Sequence, residues 1–322
     1  MAIAIETKGL TKVFSPNILA VNQLNLSIKE GEIFAFLGPN GAGKTTTVRL
    51  LTTLIEPTSG DAVIAGSSIL KEKIELRRNI GLLSERPNLY LRLSARKNLL
   101  FFAKMYGLTH QEASRRIDEM SRQFELKDRI DSPVGSYSKG MKQKLGILRA
   151  MIHSPPVMFL DEPTSGLDPL AQASVRETIE RAAEELDTTI FMTTHNLPEA
   201  ERLADKIGVI NRGELLVIGS TSELQSKVSK TNKLVIKCIE PVSNYQSLFQ
   251  NIEGVLSVRC HKNENAFDIE LTNFNEVTPH IIRSLVERDI SILEVRPTKK
   301  SLEEIYKQIM DNSYGGWFEN AA

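Results

Sequence analysis

The chain has 322 residues and a mass of 36.0 kDa, with 41% hydrophobic and 25% charged side chains. This suits about two globular domains and excludes collagen, coiled coil and wholesale disorder. Forty basic side chains balance forty acidic ones, and dividing the chain at residue 230 leaves neither part with the basic excess of a nucleic-acid binder. No apolar run approaches the ~18 residues of a spanning helix, so no helical membrane span is expected. Cys238 and Cys260 show neither CxxC nor metal-ligand spacing and are expected to be reduced thiols. Met1 to Leu10 has no charged stretch followed by an apolar one, so no secretory signal is expected.

Through the first 220 residues, short apolar runs alternate with longer helix-like stretches, the pattern of a parallel α/β sheet. Ile33–Leu37 reads as a buried strand, followed by a glycine-rich loop and a helix over Thr45–Leu54. Between Leu91 and Leu148 the pattern turns mostly helical, with amphipathic helices over Ala95–Tyr106 and Gln111–Phe124. Val157–Leu160 and Thr189–Met192 are further buried strands. Ser226–Asn232, rich in Ser, Lys and Thr, reads as a linker. After it come strand Lys233–Ile239, helix Ser243–Asn251, strands Val255–His261 and Ala266–Leu271, helix Asn275–Asp289 and strand Ser291–Val295. That βαββαβ order predicts a small ferredoxin-like α+β domain. A last helix begins at Ser301, whose hydroxyl can cap it while Glu304 reaches back, and Gly315–Ala322 is expected to fray.

Gly38-Pro39-Asn40-Gly41-Ala42-Gly43-Lys44-Thr45 matches G-x-x-x-x-G-K-[ST] between a strand and a helix. The glycines let backbone N–H groups converge on an anion, and the helix adds its positive end. Lys44 supplies a point charge for β- and γ-phosphates, and Thr45 a hydroxyl for Mg2+. Val157–Leu160 runs into Asp161 and Glu162, placing two carboxylates at the carboxyl edge of the sheet, where ligands bind in open α/β folds. Two acids there can merely solvate a strand end. Beside a phosphate loop, Asp161 suits Mg2+ through water, and Glu162 suits the base that orients or deprotonates an attacking water. His195 follows the strand Thr189–Met192 at the same edge and can donate to a γ-phosphate oxygen.

These motifs, in this order, resemble the nucleotide-binding subunit of ABC transporters over roughly residues 5–225. Gly38–Thr45 is similar to the Walker A loop, with Thr46 beside it, and Met158–Asp161 followed by Glu162 to the Walker B strand. Ser138-Lys-Gly140-Met-Lys-Gln143 resembles the signature segment, Ser165–Asp168 the D-loop and His195 the switch histidine. Phe14 stands where the family has an aromatic residue that stacks on adenine. Two positions depart from the pattern. The signature begins Tyr137-Ser-Lys-Gly-Met141 instead of LSGGQ, as in a group of exporters with an appended C-terminal domain. Glu85 stands where glutamine is usual; its carboxylate can still bind Mg2+ or water, while adding negative charge beside the γ-phosphate.

The resemblance implies a P-loop NTPase core with a mostly parallel sheet, an antiparallel β subdomain and a helical insert over about residues 91–148. It implies an ATP-binding domain over 1–225, a linker at 226–232, an accessory domain over 233–312 and a disordered tail from 313. It further implies a homodimer or heterodimer, with each ATP between the Walker A loop of one subunit and Ser138–Gly140 of the other, Asp168 also among the ATP-binding residues, and Mg2+ held by Thr45, Asp161 and Glu85. The partner would be a separate permease, met through Glu85–Tyr90 and the insert, with the subunit peripheral at the cytoplasmic face and no nucleic acid involved. A soluble ABC ATPase acting on ribosomes or DNA is the alternative, but the single phosphate loop and the absence of a heptad tract or basic excess count against it. A P-loop kinase should lack the signature segment, and a GTPase should show an NKxD tetrapeptide, which is absent.

Overall fold

The computed structural model describes residues 2–228, 232–240, 248–249, 252–261, 265–298 and 301–319, without the side chains of 185, 186, 228, 232 and 312–319. They fall into two compact units, Met1–Thr221 and Ser222–Ala322.

The first unit opens with a hairpin of β1 (Ile3–Phe14) and β2 (Ile18–Lys29), where Leu24, Leu26 and Ile28 alternate into the core with the period of a half-buried strand. β3 (Ile33–Leu37) is instead a continuous apolar run, as a strand covered on both faces should be. α1 (Lys44–Leu51) follows the glycine-rich loop. It stops three residues short of the predicted Leu54, because Thr52 Oγ1 bonds back to Val48 O and Thr53 turns left-handed at φ 58°. β4 (Ser59–Ile64), β5 (Ser67–Ser68), α2 (Lys73–Arg78) and β6 (Ile80–Leu83) come next. The helical insert holds α3 (Ala95–Met105), capped by Ser94, and α4 (His110–Gln123), opened by a Thr109/Glu112 capping box. Then come α5 (Lys139–Met151), β7 (Val157–Asp161), α6 (Pro169–Leu186), β8 (Thr189–Thr194), α7 (Leu197–Leu203), β9 (Lys206–Asn211) and β10 (Glu214–Gly219).

These strands make an antiparallel sheet of order β2-β1-β4-β5 and a six-stranded sheet of order β10-β9-β3-β8-β7-β6, parallel except for β10. Phe34, Phe36, Phe159 and Phe191 are fully buried, and their rings contact one another at 5.4–6.2 Å between centroids. Each contributes roughly 1.5–3 kcal/mol by burial. With β3, β7 and β8 adjacent and parallel, their carboxyl ends share one edge, which is what positions the site.

The second unit begins within α8 (Thr221–Val228), a helix that takes the first residues of the expected linker. Its sheet joins β11 (Asn232–Cys238), β12 (Val255–His261), β13 (Ala266–Leu271) and β14 (Ile292–Thr298) in the order β12-β13-β11-β14, antiparallel throughout, the ferredoxin-like arrangement. α9 (Phe274–Val286) covers it with Val277, Ile281 and Leu285. The helix expected over Ser243–Asn251 lies outside the described residues except for Leu248 and Phe249, and Phe249 packs edge-on against Phe267 at 4.8 Å. β14 runs three residues past the predicted Val295, since Pro297 is tolerated on an edge strand. α9 ends three residues before the predicted Asp289, which turns left-handed at φ 53°. α10 (Leu302–Glu319) starts with the expected Ser301/Glu304 box and continues past Gly315, into the stretch expected to fray. Both cysteines are free.

Candidate functional site

The loop after β3 wraps the start of α1. Gly43 holds φ 108°, and a Cβ on it would meet Ala20 O at 2.3 Å, so no other residue fits without moving the chain. No side chain caps α1, which leaves its first-turn N–H groups for an anion. Lys44 is buried yet donates through Nζ to Gly38 O at 2.7 Å and Pro39 O at 3.2 Å, and pairs with Glu162 Oε1 at 3.2 Å. The ammonium therefore stands over the loop with its charge aimed into the cleft.

Glu162 leaves β7 with φ 52°, an unfavourable conformation for a non-glycine residue that its surroundings must hold in place. Its N–H donates to both the carbonyl and the hydroxyl of Thr193, each at 3.1 Å. The second carboxylate oxygen, Oε2, lies 2.8 Å from His195 Nδ1. With Glu162 ionised, the proton of that bond sits on Nδ1. His195 is 51% exposed and Glu162 14%, so the pair bridges the buried sheet edge and the open cleft. Behind His195, Thr194 Oγ1 donates to the buried Glu199 at 2.5 Å, and Asn196 caps α7. Burial pushes the Glu199 carboxyl above its ordinary value, with the Thr194 and Thr164 hydrogen bonds opposing it.

Asp161 is buried, and its Oδ1 accepts from Thr45 Oγ1 at 3.1 Å and Thr193 Oγ1 at 2.6 Å. Among the described residues no group of three or more His, Cys, Asp or Glu could hold a metal alone. A carboxylate and a hydroxyl beside a phosphate loop fit Mg2+, which takes one or two protein oxygens and completes its shell with phosphates and water.

A cleft of about 320 Å³ brings together Pro39, Asn40, Gly41, Gly43, Lys44, Thr45, Thr46, Glu85, Glu162, Ser165 and His195. Glu85 and Thr45 also line an adjoining recess with Asp161. Gly38 and Ala42 support the loop from behind. Four predicted site residues lie elsewhere. Phe14 is 38% exposed at the end of β1 and does not line the cleft, although its strand partner Ile18 does, with Leu19 and Ala20. Ser138 and Asp168 cap their own helices, α5 and α6, by accepting from Met141 N and Ala171 N, and Gly140 sits against Ala171. Lys139 Nζ donates to Ser165 O and Gly166 O, tying the signature segment to the D-loop at 3.0 Å each. Tyr137 is buried, and its hydroxyl donates to Arg129 O at 2.6 Å. Sequence reasoning missed Thr193 and Ile18–Ala20. Thr193 becomes visible only through the register that sets it opposite Asp161.

Residues 21–165 match the family described as ABC transporter, and residues 219–310 match the C-terminal domain of the ATP-binding protein DrrA1-3-like group. The chain is 36% identical over 318 residues to the bacitracin transport ATP-binding protein BcrA of Bacillus licheniformis, covering 96% of this chain and 98% of that one. It is 33% identical over 306 residues to the daunorubicin/doxorubicin resistance ATP-binding protein DrrA of Streptomyces peucetius, covering 94% and 91%. A solved dimeric ATP-binding cassette in a post-hydrolysis state, bound to ADP and Pi, superposes with a TM-score of 0.60 at 28% identity, over 67% of this chain and 98% of that one. A phosphate loop, a paired acid and histidine at one sheet edge, and likeness along nearly the whole chain agree: the chain belongs to the ATP-binding subunits of ABC transporters.

Proposed function

We propose that this subunit powers an exporter, standing at the cytoplasmic face of a membrane through contact with its permease. As a member of its family it binds and hydrolyses ATP and works with a separate membrane permease. The observation that carries the export reading is the likeness to the bacitracin and daunorubicin/doxorubicin proteins, which runs through the C-terminal domain as well as the ATPase. The substrate is selected by the permease. Residues 1–225 form the ATP-binding domain, and 233–312 an accessory domain that regulates or strengthens the dimer.

In the reaction, the loop amides and Lys44 bind the β- and γ-phosphates. Glu162 takes the proton of the attacking water. His195, fixed to it at 2.8 Å, orients that carboxylate and would meet the γ-phosphate of bound ATP. Thr45, Asp161 and Glu85 would hold Mg2+, which neutralises phosphate charge when bound. Ile18–Ala20, which line the cleft, would border the base, with Phe14 beside them as the strand partner of Ile18. Ser138, Gly140 and Asp168 lie outside this cleft, which supports their acting on the ATP of a second subunit.

No helix among the described residues is long and apolar enough to cross a membrane. Tyr90, Leu91, Phe101, Met105 and Tyr106 are exposed on the insert and the loop before it, a surface for the permease. Arg92 and Lys97 are exposed beside it. Co-expressed with its permease, the subunit should sediment with membranes. Charge reversal at Arg92 and Lys97 should weaken this several-fold, with ATP affinity unchanged. Strong binding of the purified chain to liposomes without permease would overturn the docking reading.

A further inference from the structure

α5 ends beside the loop that carries Glu85, and Arg149 in its last turn makes the junction. Arg149 Nη1 donates to Pro87 O at 2.5 Å and Nη2 to Leu82 O at 2.9 Å. Those two carbonyls bracket residues 83–86. One turn earlier, a Cβ on Gly146 would lie 2.7 Å from Leu83 Cδ1 and 2.9 Å from Pro87 Cβ, so helix and loop are in close contact there. Arg149 has no carboxylate within ion-pair distance among the described residues. Burial lowers its pKa from the ordinary arginine value. A half-buried cation whose forked donors both end on one loop holds the shape of that loop.

The same guanidinium lies 5.0 Å from the centre of the Phe102 ring. Phe102 stacks with Tyr90 at 6.2 Å and meets Phe101 edge-on at 5.3 Å. Tyr90 is 48% and Phe101 43% exposed, so this aromatic cluster opens on the surface assigned above to the permease. Asn98 of α3 bonds both the N–H and the carbonyl of Tyr90, fixing the cluster to the insert. Arg149 thus touches the aromatic cluster on one side and the Glu85 loop on the other.

We propose that Arg149 is a positioning residue that sets Glu85 in the ATP cleft according to how the aromatic cluster is packed. Its coupling role rests on the docking reading, while its hold on the loop does not. A planar fork can bond two carbonyls while presenting a face to Phe102; a lysine ammonium cannot. Arg149→Lys therefore keeps the charge and removes the geometry. Phe102→Leu keeps an apolar side chain and removes the ring, leaving the two carbonyl bonds available.

The test uses the purified full chain, with hydrogen exchange read over residues 84–88, and ATPase measured with and without the co-expressed permease. Arg149→Lys should speed exchange in that segment about tenfold, with ATP affinity within twofold of wild type. It should also lower stimulation by the permease about tenfold. Phe102→Leu should lower stimulation about threefold with little change in exchange. Glu85→Ala added to Arg149→Lys should cost no further stimulation, because the two act in series. Unchanged exchange in Arg149→Lys overturns the proposal. So do additive losses with Glu85→Ala, the mark of a merely structural role. If wild type shows no stimulation while Arg149→Lys still loosens the segment, the docking reading fails and the hold on the loop stands.

Discussion

The nucleotide cleft and the signature segment are built in opposite ways. α1 starts without a side-chain cap, so its amides are free for phosphate. α5 and α6 start on Ser138 and Asp168, whose own oxygens accept from Met141 N and Ala171 N. In the cleft, Lys44, Glu162, His195, Asp161, Thr45 and Thr193 are knit into one network. The signature residues turn to the D-loop through Lys139. One region is completed by a ligand, while the other is complete for folding and lies outside the cleft of its own chain. Binding and hydrolysis should therefore separate by mutation.

Glu162→Gln should show the largest effect. The amide keeps the contacts near Lys44 and His195 but cannot take a proton from water. Turnover should fall by about 10²–10⁴ while ATP binding persists. The variant should also form an ATP-dependent dimer that dissociates slowly. Near-wild-type turnover in a steady-state ATPase assay would remove Glu162 from its role.

Lys44 and Ser138 divide the two regions directly. Lys44→Ala removes a charge-assisted contact worth about 1.5–3 kcal/mol, so titration calorimetry should show affinity falling roughly 10–100-fold. Ser138→Ala should leave monomer binding intact and slow hydrolysis. The structure adds a complication that the sequence hid, because the same change uncaps α5 at a cost of about 1 kcal/mol. Ser138→Asn separates these effects, since asparagine caps as well as serine. If Asn restores hydrolysis fully, Ser138 acts only as a cap; if it restores stability alone, the hydroxyl has a target beyond its own helix.

The two regions were legible for different reasons. Gly38–Thr45 and Asp161-Glu162 could be read because phosphate chemistry fixes residue types at fixed spacings, and the strands beneath them because burial on both faces demands continuous apolar runs. Thr193 could not be read. It is an ordinary β-former within an apolar strand, and only its pairing with Asp161 gives it a role. Arg149 was hidden among Lys139, Lys142 and Lys144 on one helix, where charge says nothing of which side chain reaches the Glu85 loop. Helix ends were misjudged where side chains compete with the backbone, at Thr52 and Thr53, a contest that hydrophobic periodicity does not record.

The smallest effect sharpens the contrast from outside both regions, through a second histidine. His153 stacks on Tyr106 at 3.6 Å and bonds Ile80 O through Nε2 at 3.1 Å, leaving Nδ1 buried and unpaired. Burial pushes its pKa down from 6.5 to about 4. The folded state therefore favours the neutral ring, while the unfolded chain takes up a proton below about pH 6.5. Its contribution is fully present above that value and is lost as pH falls toward about 4. With the ring partly exposed, the loss by pH 5 should be about 1 kcal/mol, less than the full shift would give. Wild type and His153→Gln should therefore differ less in stability at pH 5 than at pH 7 by that amount, measured by urea denaturation. ATPase per folded molecule should match wild type. His195→Ala should instead lose hydrolysis, because His195 holds the Glu162 carboxylate at 2.8 Å. A constant stability gap between wild type and His153→Gln across this range would mean that His153 protonates in the folded protein as easily as in the unfolded chain.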